Sequence, residues 1–199
     1  MLTFYHSSNS RSTSIAQLIE ELGVSDQIKT IEVTIPRQDG TGAHDPRNPH
    51  PEGKVPYLTD GEDFVRERGA IILYLTDRFP KSGLGRSVGD PQRGRYLSWL
   101  SWYQGMLEPV AILRWASVEH PAIHASLRDY DTAIQRLDEV LVAQPYLLGD
   151  RYSAADLLCA SPFAWFGDQM PITPALRDWV ARCQDRPALR RMHDDAIAG

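Results

Sequence analysis

The spacing of apolar and polar positions changes several times over the first eighty residues, and each change marks a new element. Met1 to Tyr5 are apolar, β-branched or aromatic, which predicts a short buried strand. The polar run from His6 to Arg11 ends it. Ile15, Leu18, Ile19 and Leu22 then share one helical face, and Gly23 is a natural C-terminal stop. Ile28, Ile31, Val33 and Ile35 predict a second strand with imperfect alternation at its start. Strands joined by a helix are usually parallel, so a parallel βαβ opening is expected. Residues 36–54 are rich in Pro, Gly, Asp and Asn and read as a long surface loop. VPYLTDGEDFV reads as two short strands around Asp60-Gly61, a hairpin signal. Ala70, Ile71, Tyr74, Leu75 and Phe79 fit a helix that Pro80 ends. The expected order is β-α-β, long loop, β-β-α.

Beyond this point the period is helical. Residues 81–91 read as a linker, with three glycines and no clear period. Residues 92–118 are helical in spacing despite Pro109. Leu127, Tyr130, Ala133, Ile134, Leu137, Val140 and Leu141 predict one helix over 125–143. Ser153-Ala154-Ala155-Asp156 resembles a capping box, with Asp where Glu is usual. Pro162 sits inside the helical pattern that follows and predicts a kink. Residues 174–185 and 187–197 predict two more helices, with Pro187 in the first turn of the last. The expected domains are 1–80, joined by the linker 81–91 to an all-helical 92–199.

Composition narrows the function classes. Hydrophobic residues make up 42% and charged residues 24% of 199, as in ordinary globular proteins. A net charge of −5 supplies no basic field for nucleic acid or an anionic membrane. MLTFYHSSNS lacks the pattern of a signal peptide, and no run approaches the roughly 18 apolar residues of a membrane span. Cys159 and Cys183 lie far from any CxxC pattern, so neither a disulfide framework nor a zinc knuckle is expected. A cytoplasmic location follows most simply. His120 and His124 are four apart, but Pro121 intervenes and no clear third ligand follows, so no metal is expected. Gly83, Gly85 and Gly89 belong to the linker and do not form a phosphate loop.

Three segments carry candidate chemistry, each with a plain structural reading beside it. Val55-Pro56 heads a predicted strand, where proline is awkward. A cis bond would turn the Val55 N–H and C=O toward an extended ligand backbone; a trans proline at the strand start is the alternative. Glu67-Arg68 precedes a helix. The carboxylate suits an ammonium, and the guanidinium with the free helix N–H groups suits a carboxylate; the alternative is a solvated charge pair with a cap. The loop from His6 to Ser12 lies between a strand and a helix start. Its hydroxyl and amide donors, with the helix dipole, suit an anion such as a thiolate. A capping role for Ser10 or Ser12 is the alternative.

In this order the segments resemble bacterial glutathione transferases over essentially the full chain. The matching stretches are LTFYHSSNSRS with LIEELG, NPHPEGKVPYL, VRERGAIILYLTDRFP and PYLLGDRYSAADLL. The resemblance implies a thioredoxin-like α/β domain followed by an all-helical one, with glutathione as co-substrate. It implies that Pro56 is cis and that Val55 pairs with the cysteinyl unit of glutathione. Glu67 would take the γ-glutamyl ammonium. Arg68 stands where the family most often has Ser on the γ-glutamyl carboxylate, and a bacterial subgroup also reads E-R-x-A-I. Lys54 and His50 would approach the glycyl end, and Arg11 would lie in the binding loop. Family classes place Tyr, Ser or Cys near this turn to activate the thiol. Cys is absent, which argues against the classes that form mixed disulfides with glutathione. Ser10 ranks first, with Asn9, Ser12 and Tyr5 behind it. The Ser-Ser-Cys signature of maleylacetoacetate isomerases is also missing. Trp99, Trp102, Tyr103, Met106 and Trp115 read mostly as helix core, but the resemblance implies that some of them line a pocket for the small electrophile. The implied function is attack of the glutathione thiol on electrophiles or reduction of peroxides by a homodimer, the alternative being a non-catalytic binding or scaffold protein of the same fold.

Overall fold

A computed structural model of the chain describes residues 1–198, with side chains described as far as Met192. β1 (Leu2–His6) lies at the centre of a four-stranded sheet of order β2-β1-β3-β4. β2 (Ile28–Glu32) pairs with it in parallel, with Leu2 opposite Ile28. β3 (Tyr57–Asp60) pairs with it antiparallel, with Phe4 opposite Leu58, and β4 (Asp63–Arg66) pairs antiparallel with β3. Helix α1 (Thr13–Leu22) links β1 to β2, and α2 (Arg68–Arg78) follows β4. The expected β-α-β-β-β-α order is thus observed. Alternation puts Leu2 and Phe4 on one face of β1, and both are buried together with Leu58, Ile15, Leu18, Ile71, Ile72 and Leu75. Each such side chain contributes about 1.5–3 kcal/mol on leaving water. Gly23 ends α1 in the left-handed region, at φ 68°, and the Val24 N–H returns to the Ile19 carbonyl.

β2 is shorter than its apolar pattern. The Val33 N–H still reaches the His6 carbonyl (2.8 Å), but the Thr34 N–H turns to the Asp45 carboxylate (3.2 Å). The long loop that follows supplies this competing acceptor, and Ile35 never joins the ladder.

The contact pattern separates residues 1–82 from those beginning at Gly83. The regular elements of the second unit are helices α3 (Arg93–Trp102), α4 (Glu108–Trp115), α5 (Pro121–Leu127), α6 (Tyr130–Leu141), α7 (Ala154–Phe166), α8 (Pro174–Gln184) and α9 (Pro187–Ala198). Between α3 and α4, residues Tyr103–Leu107 widen into a π turn in which the Glu108 N–H reaches back to the Tyr103 carbonyl. This accommodates Pro109, which has no N–H for the α-helical ladder and crowds the preceding turn. The single helix expected over 125–143 is two. Arg128 sits at φ 70° and Asp129 caps α6 by accepting from the Thr132 N–H (2.7 Å). Apolar spacing carries across this break because Leu127 and Tyr130 lie on either side of it.

α7 continues through Pro162. The missing N–H would leave the Leu158 carbonyl without its partner, and the Ser161 hydroxyl donates to it instead (2.7 Å). At the start of α7 the Asp156 carboxylate accepts from the Ser153 N–H (2.9 Å) and hydroxyl (2.7 Å), the Leu147 N–H (2.8 Å) and the Trp179 indole N–H (3.0 Å). Asp156 and Trp179 are both fully buried. Burial raises the carboxyl pKa, while these hydrogen bonds pull it down. No helix among the described residues is long and apolar enough to cross a membrane.

Candidate functional site

Strand register brings the three candidate segments to one end of the sheet. Tyr5 pairs with Tyr57, and Tyr57 pairs with Arg66. One residue further along each strand stand His6, Pro56 and Glu67. The turn after β1, the start of β3 and the end of β4 therefore lie side by side. Two strand spacings separate the outer members, roughly 10 Å.

The Val55–Pro56 bond is cis. Among the described residues neither the N–H nor the C=O of Val55 makes a hydrogen bond. Glu67 is exposed at the N-terminus of α2 with φ 69° and ψ 128°, a conformation that side-chain-bearing residues seldom adopt. Its carbonyl accepts the Ile71 N–H (2.9 Å), so its backbone begins the helix while its side chain stays outside. Arg68 is buried, 6% exposed, in the first turn of α2. Lys54 is exposed, and its carbonyl accepts from the Asn48 side chain (3.0 Å). His50 is buried against Tyr57, its Nδ1 accepting the Glu52 N–H (3.0 Å), and burial lowers its pKa.

The turn after β1 is a network of hydroxyls. The Ser12 hydroxyl is fully buried and accepts the Ser7 N–H (3.1 Å), with His6 Nδ1 at 2.7 Å and Ser10 Oγ at 2.8 Å. It makes no cap bond to α1; the backbone carbonyls of Ser10 and Ser12 receive the helix N–H groups. The Ser10 hydroxyl donates to the Ser7 carbonyl (2.7 Å) and accepts the Ser12 N–H (3.1 Å). Both hydroxyls are thus engaged inside the turn. Asn9 is exposed at φ 52°, and among the described residues its N–H and side-chain amide make no hydrogen bond, nor does the Ser8 N–H. Arg11 is exposed on the same turn. Tyr5 is half-buried on β1, its ring 6.2 Å from that of Tyr57.

Two neighbours of the site have no local sequence signal. Arg37 reaches the turn from the long loop. It donates to the Asn9 carbonyl (2.9 Å), the Ser8 carbonyl (2.7 Å) and Ser7 Oγ (3.2 Å). Beside it lies a cavity of about 420 Å³ lined by Ser7, Ser8, Glu32, Arg37 and Arg47, among others. The His44 ring lies so close to Gly53 that a Cβ there would stand 2.7 Å from it. Glycine is favoured on both counts, since Gly53 also has φ 62°.

A thioredoxin-like sheet with a cis proline at its binding end, followed by a helical domain, defines the class of the glutathione S-transferases. The family's N-terminal domain matches residues 4–83 and its C-terminal domain residues 106–191. The chain is 32% identical over 160 residues to the disulfide-bond oxidoreductase YfcG of Escherichia coli (strain K12), covering 69% of this chain and 70% of that one. A glutathione transferase structure from Methylococcus capsulatus superposes with a TM-score of 0.77 at 25% identity, covering 99% of this chain and 100% of the other. The theta class glutathione S-transferase of Xanthomonas axonopodis pv. citri, with glutathione bound, gives 0.70 at 30% identity over 96% and 95%. The chain belongs to the glutathione S-transferase family.

Proposed function

We propose that this chain is a glutathione-dependent transferase that holds the tripeptide along the sheet end and turns its thiol into a nucleophile. The convergence of an unbonded Val55 backbone, an outward Glu67 and an unbonded Asn9 amide at that end carries this reading. An extended tripeptide spans roughly 10 Å, the separation of the outer strands. Val55 pairs with the cysteinyl backbone. Glu67 takes the γ-glutamyl ammonium, and the α2 N-terminus with Arg68 favours the adjacent carboxylate. Lys54 stands toward the glycyl end, beside the buried His50. The sulfur then lies over the β1–α1 turn. Its proton leaves to solvent, and the thiolate accepts hydrogen bonds from the Asn9 amide and the turn N–H groups while Ser10, Ser12 and Arg11 shape the turn. The thiolate attacks an electrophilic carbon, the C–S bond forms, and the leaving group departs with its electron pair.

The similarity to a disulfide-bond oxidoreductase favours a second reading on the same site. There the thiolate attacks one sulfur of a disulfide and expels the other as a thiolate; a second glutathione then resolves the mixed disulfide and leaves as oxidised glutathione. No protein thiol is needed. Cys159 and Cys183 are both buried, and burial pushes the Cys183 thiol up.

Calorimetry with Glu67→Gln tests the binding reading. Hydrogen bonds to a charged group predict about a tenfold to hundredfold weaker affinity for glutathione with the fold intact. An unchanged affinity would show Glu67 to be only a surface charge. Assays with an activated aryl halide, a hydroperoxide and a small disulfide separate the two chemistries, and turnover of none leaves a binding protein.

A further inference from the structure

The guanidinium of Arg37 crosses from a loop 28 to 30 residues away to hold three consecutive residues of the β1–α1 turn. Among the described residues it has no carboxylate within ion-pairing distance, so its charge is directed at peptide carbonyls. The side chain is presented by a hydrogen-bonded turn. The Arg37 N–H donates to the Thr41 carbonyl (2.9 Å) and the Gly40 N–H to the Arg37 carbonyl (3.1 Å). Asp39 braces the turn by accepting from the Thr41 N–H (2.9 Å) and hydroxyl (2.6 Å). At Gly42 a Cβ would stand 2.1 Å from the Ile35 carbonyl oxygen, so the turn closes only on glycine.

A trans peptide is planar, with its N–H opposite its C=O. Drawing the Ser8 carbonyl to Arg37 therefore aims the Asn9 N–H away from Arg37. The Asn9 carbonyl is drawn the same way, and its peptide partner, the Ser10 N–H, points to Thr13 Oγ1 (3.3 Å). Two peptide planes are set by one forked cation. A cation on the carbonyl also polarises the peptide and strengthens the N–H as a donor. The other charged or titratable groups around the turn are Arg11 on the turn itself, His6 on β1, Glu32 on β2, which accepts from the Ser8 hydroxyl (3.1 Å), Arg47 across the cavity and Asp39, whose carboxylate feels the Arg37 charge.

We propose that Arg37 is a positioning residue for thiol activation: by clamping the Ser8 and Asn9 carbonyls it fixes the turn so that the Asn9 N–H faces the sulfur of bound glutathione. The proposal rests on the glutathione reading above. In this arrangement Arg37 acts through the turn and not on the tripeptide, so its loss would move the chemistry of the thiol and not the hold on the rest of the molecule.

The test is an ultraviolet thiolate titration of bound glutathione in the wild type, Arg37→Ala and Arg37→Lys, with amide exchange of the unliganded proteins alongside. In Arg37→Ala the thiol pKa rises by roughly one pH unit, which lowers the thiolate fraction about tenfold below the pKa. The calorimetric affinity for glutathione at a pH where the thiol is protonated stays within about twofold, the limit for a residue without contact. Lys keeps the charge but lacks the planar fork, so Arg37→Lys retains most of the rise. Exchange at the Ser7, Ser10 and Ser12 amides quickens in both variants. An unchanged thiol pKa in Arg37→Ala, or full restoration by Lys, overturns the proposal. Failure of the wild type to bind glutathione would instead sink the glutathione reading. Exchange at the three amides then decides whether Arg37 holds the turn, and unchanged exchange overturns the clamp itself.

Discussion

The starts of α1 and α7 both carry serine beside the first helical residue, and they have opposite designs. At α7 the donors converge on a buried acceptor: Ser153, Leu147 and Trp179 all donate to the Asp156 carboxylate. At α1 the hydroxyls of Ser10 and Ser12 bond to one another and back to Ser7, and neither caps the helix by its side chain. The amide of Asn9 is left facing water. A helix start whose donors share a buried acceptor stabilises the fold, whereas one that braces its backbone with hydroxyls leaves N–H donors open to solvent, the feature on which the proposed thiolate site rests.

The sharpest test of this contrast is removal of the hub in the second unit. Asp156→Ala leaves the N–H groups of Leu147, Ser153 and Trp179 buried without their acceptor. Each such group costs about 1–3 kcal/mol, so the chain should lose about 3 kcal/mol or more in urea unfolding. Glutathione affinity of the remaining folded protein should be unchanged. A loss near zero would mean the buried carboxylate is not holding the start of α7.

Smaller effects are expected at the open turn. Asn9→Ala should raise the pKa of the bound thiol, because the charged form loses a donor and the neutral form loses little. Ser10→Ala should cost about 1 kcal/mol of stability through its bond to the Ser7 carbonyl and leave the thiol pKa alone. Reversal of the two results would assign the donor to the Ser10 hydroxyl; a shift in Tyr5→Phe alone would place it on β1. The thiolate titration distinguishes all three.

The smallest effect concerns His6, whose pKa burial lowers against a weaker opposing pull from Glu32. A histidine with a folded pKa below its unfolded value binds fewer protons when folded. Its contribution is present above the unfolded value of about 6.5 and is lost as pH falls toward the lowered one. Thermal melts of the wild type should therefore fall over this acid range, and in His6→Gln that part of the slope should vanish. A slope unchanged by the substitution would assign it to other groups.

Much of the fold was legible because short-range physics decides it. The alternation of Leu2 and Phe4, the stop at Gly23, the turn at Gly61 and the Ser153–Asp156 box each depend on neighbours within a few residues. The candidate segments were legible for the same reason, and the family resemblance ordered them. The break at Arg128 was not legible because the apolar period runs across it, and the positive φ of Arg128 with the Asp129 cap marks the boundary in the structure. β2 ended early because Asp45, eleven residues beyond Thr34, offered its N–H a better acceptor. Which groups of the β1–α1 turn are open was decided by tertiary contacts alone. Sequence alone ranks Ser10 ahead of Asn9 and Ser12 from the family resemblance, with no local signal for which of them is engaged. Packing of Ser12 under His6 and the reach of Arg37 across the fold commit the hydroxyls and leave the Asn9 amide, because hydrogen bonds between distant segments follow from how backbones approach and not from local spacing.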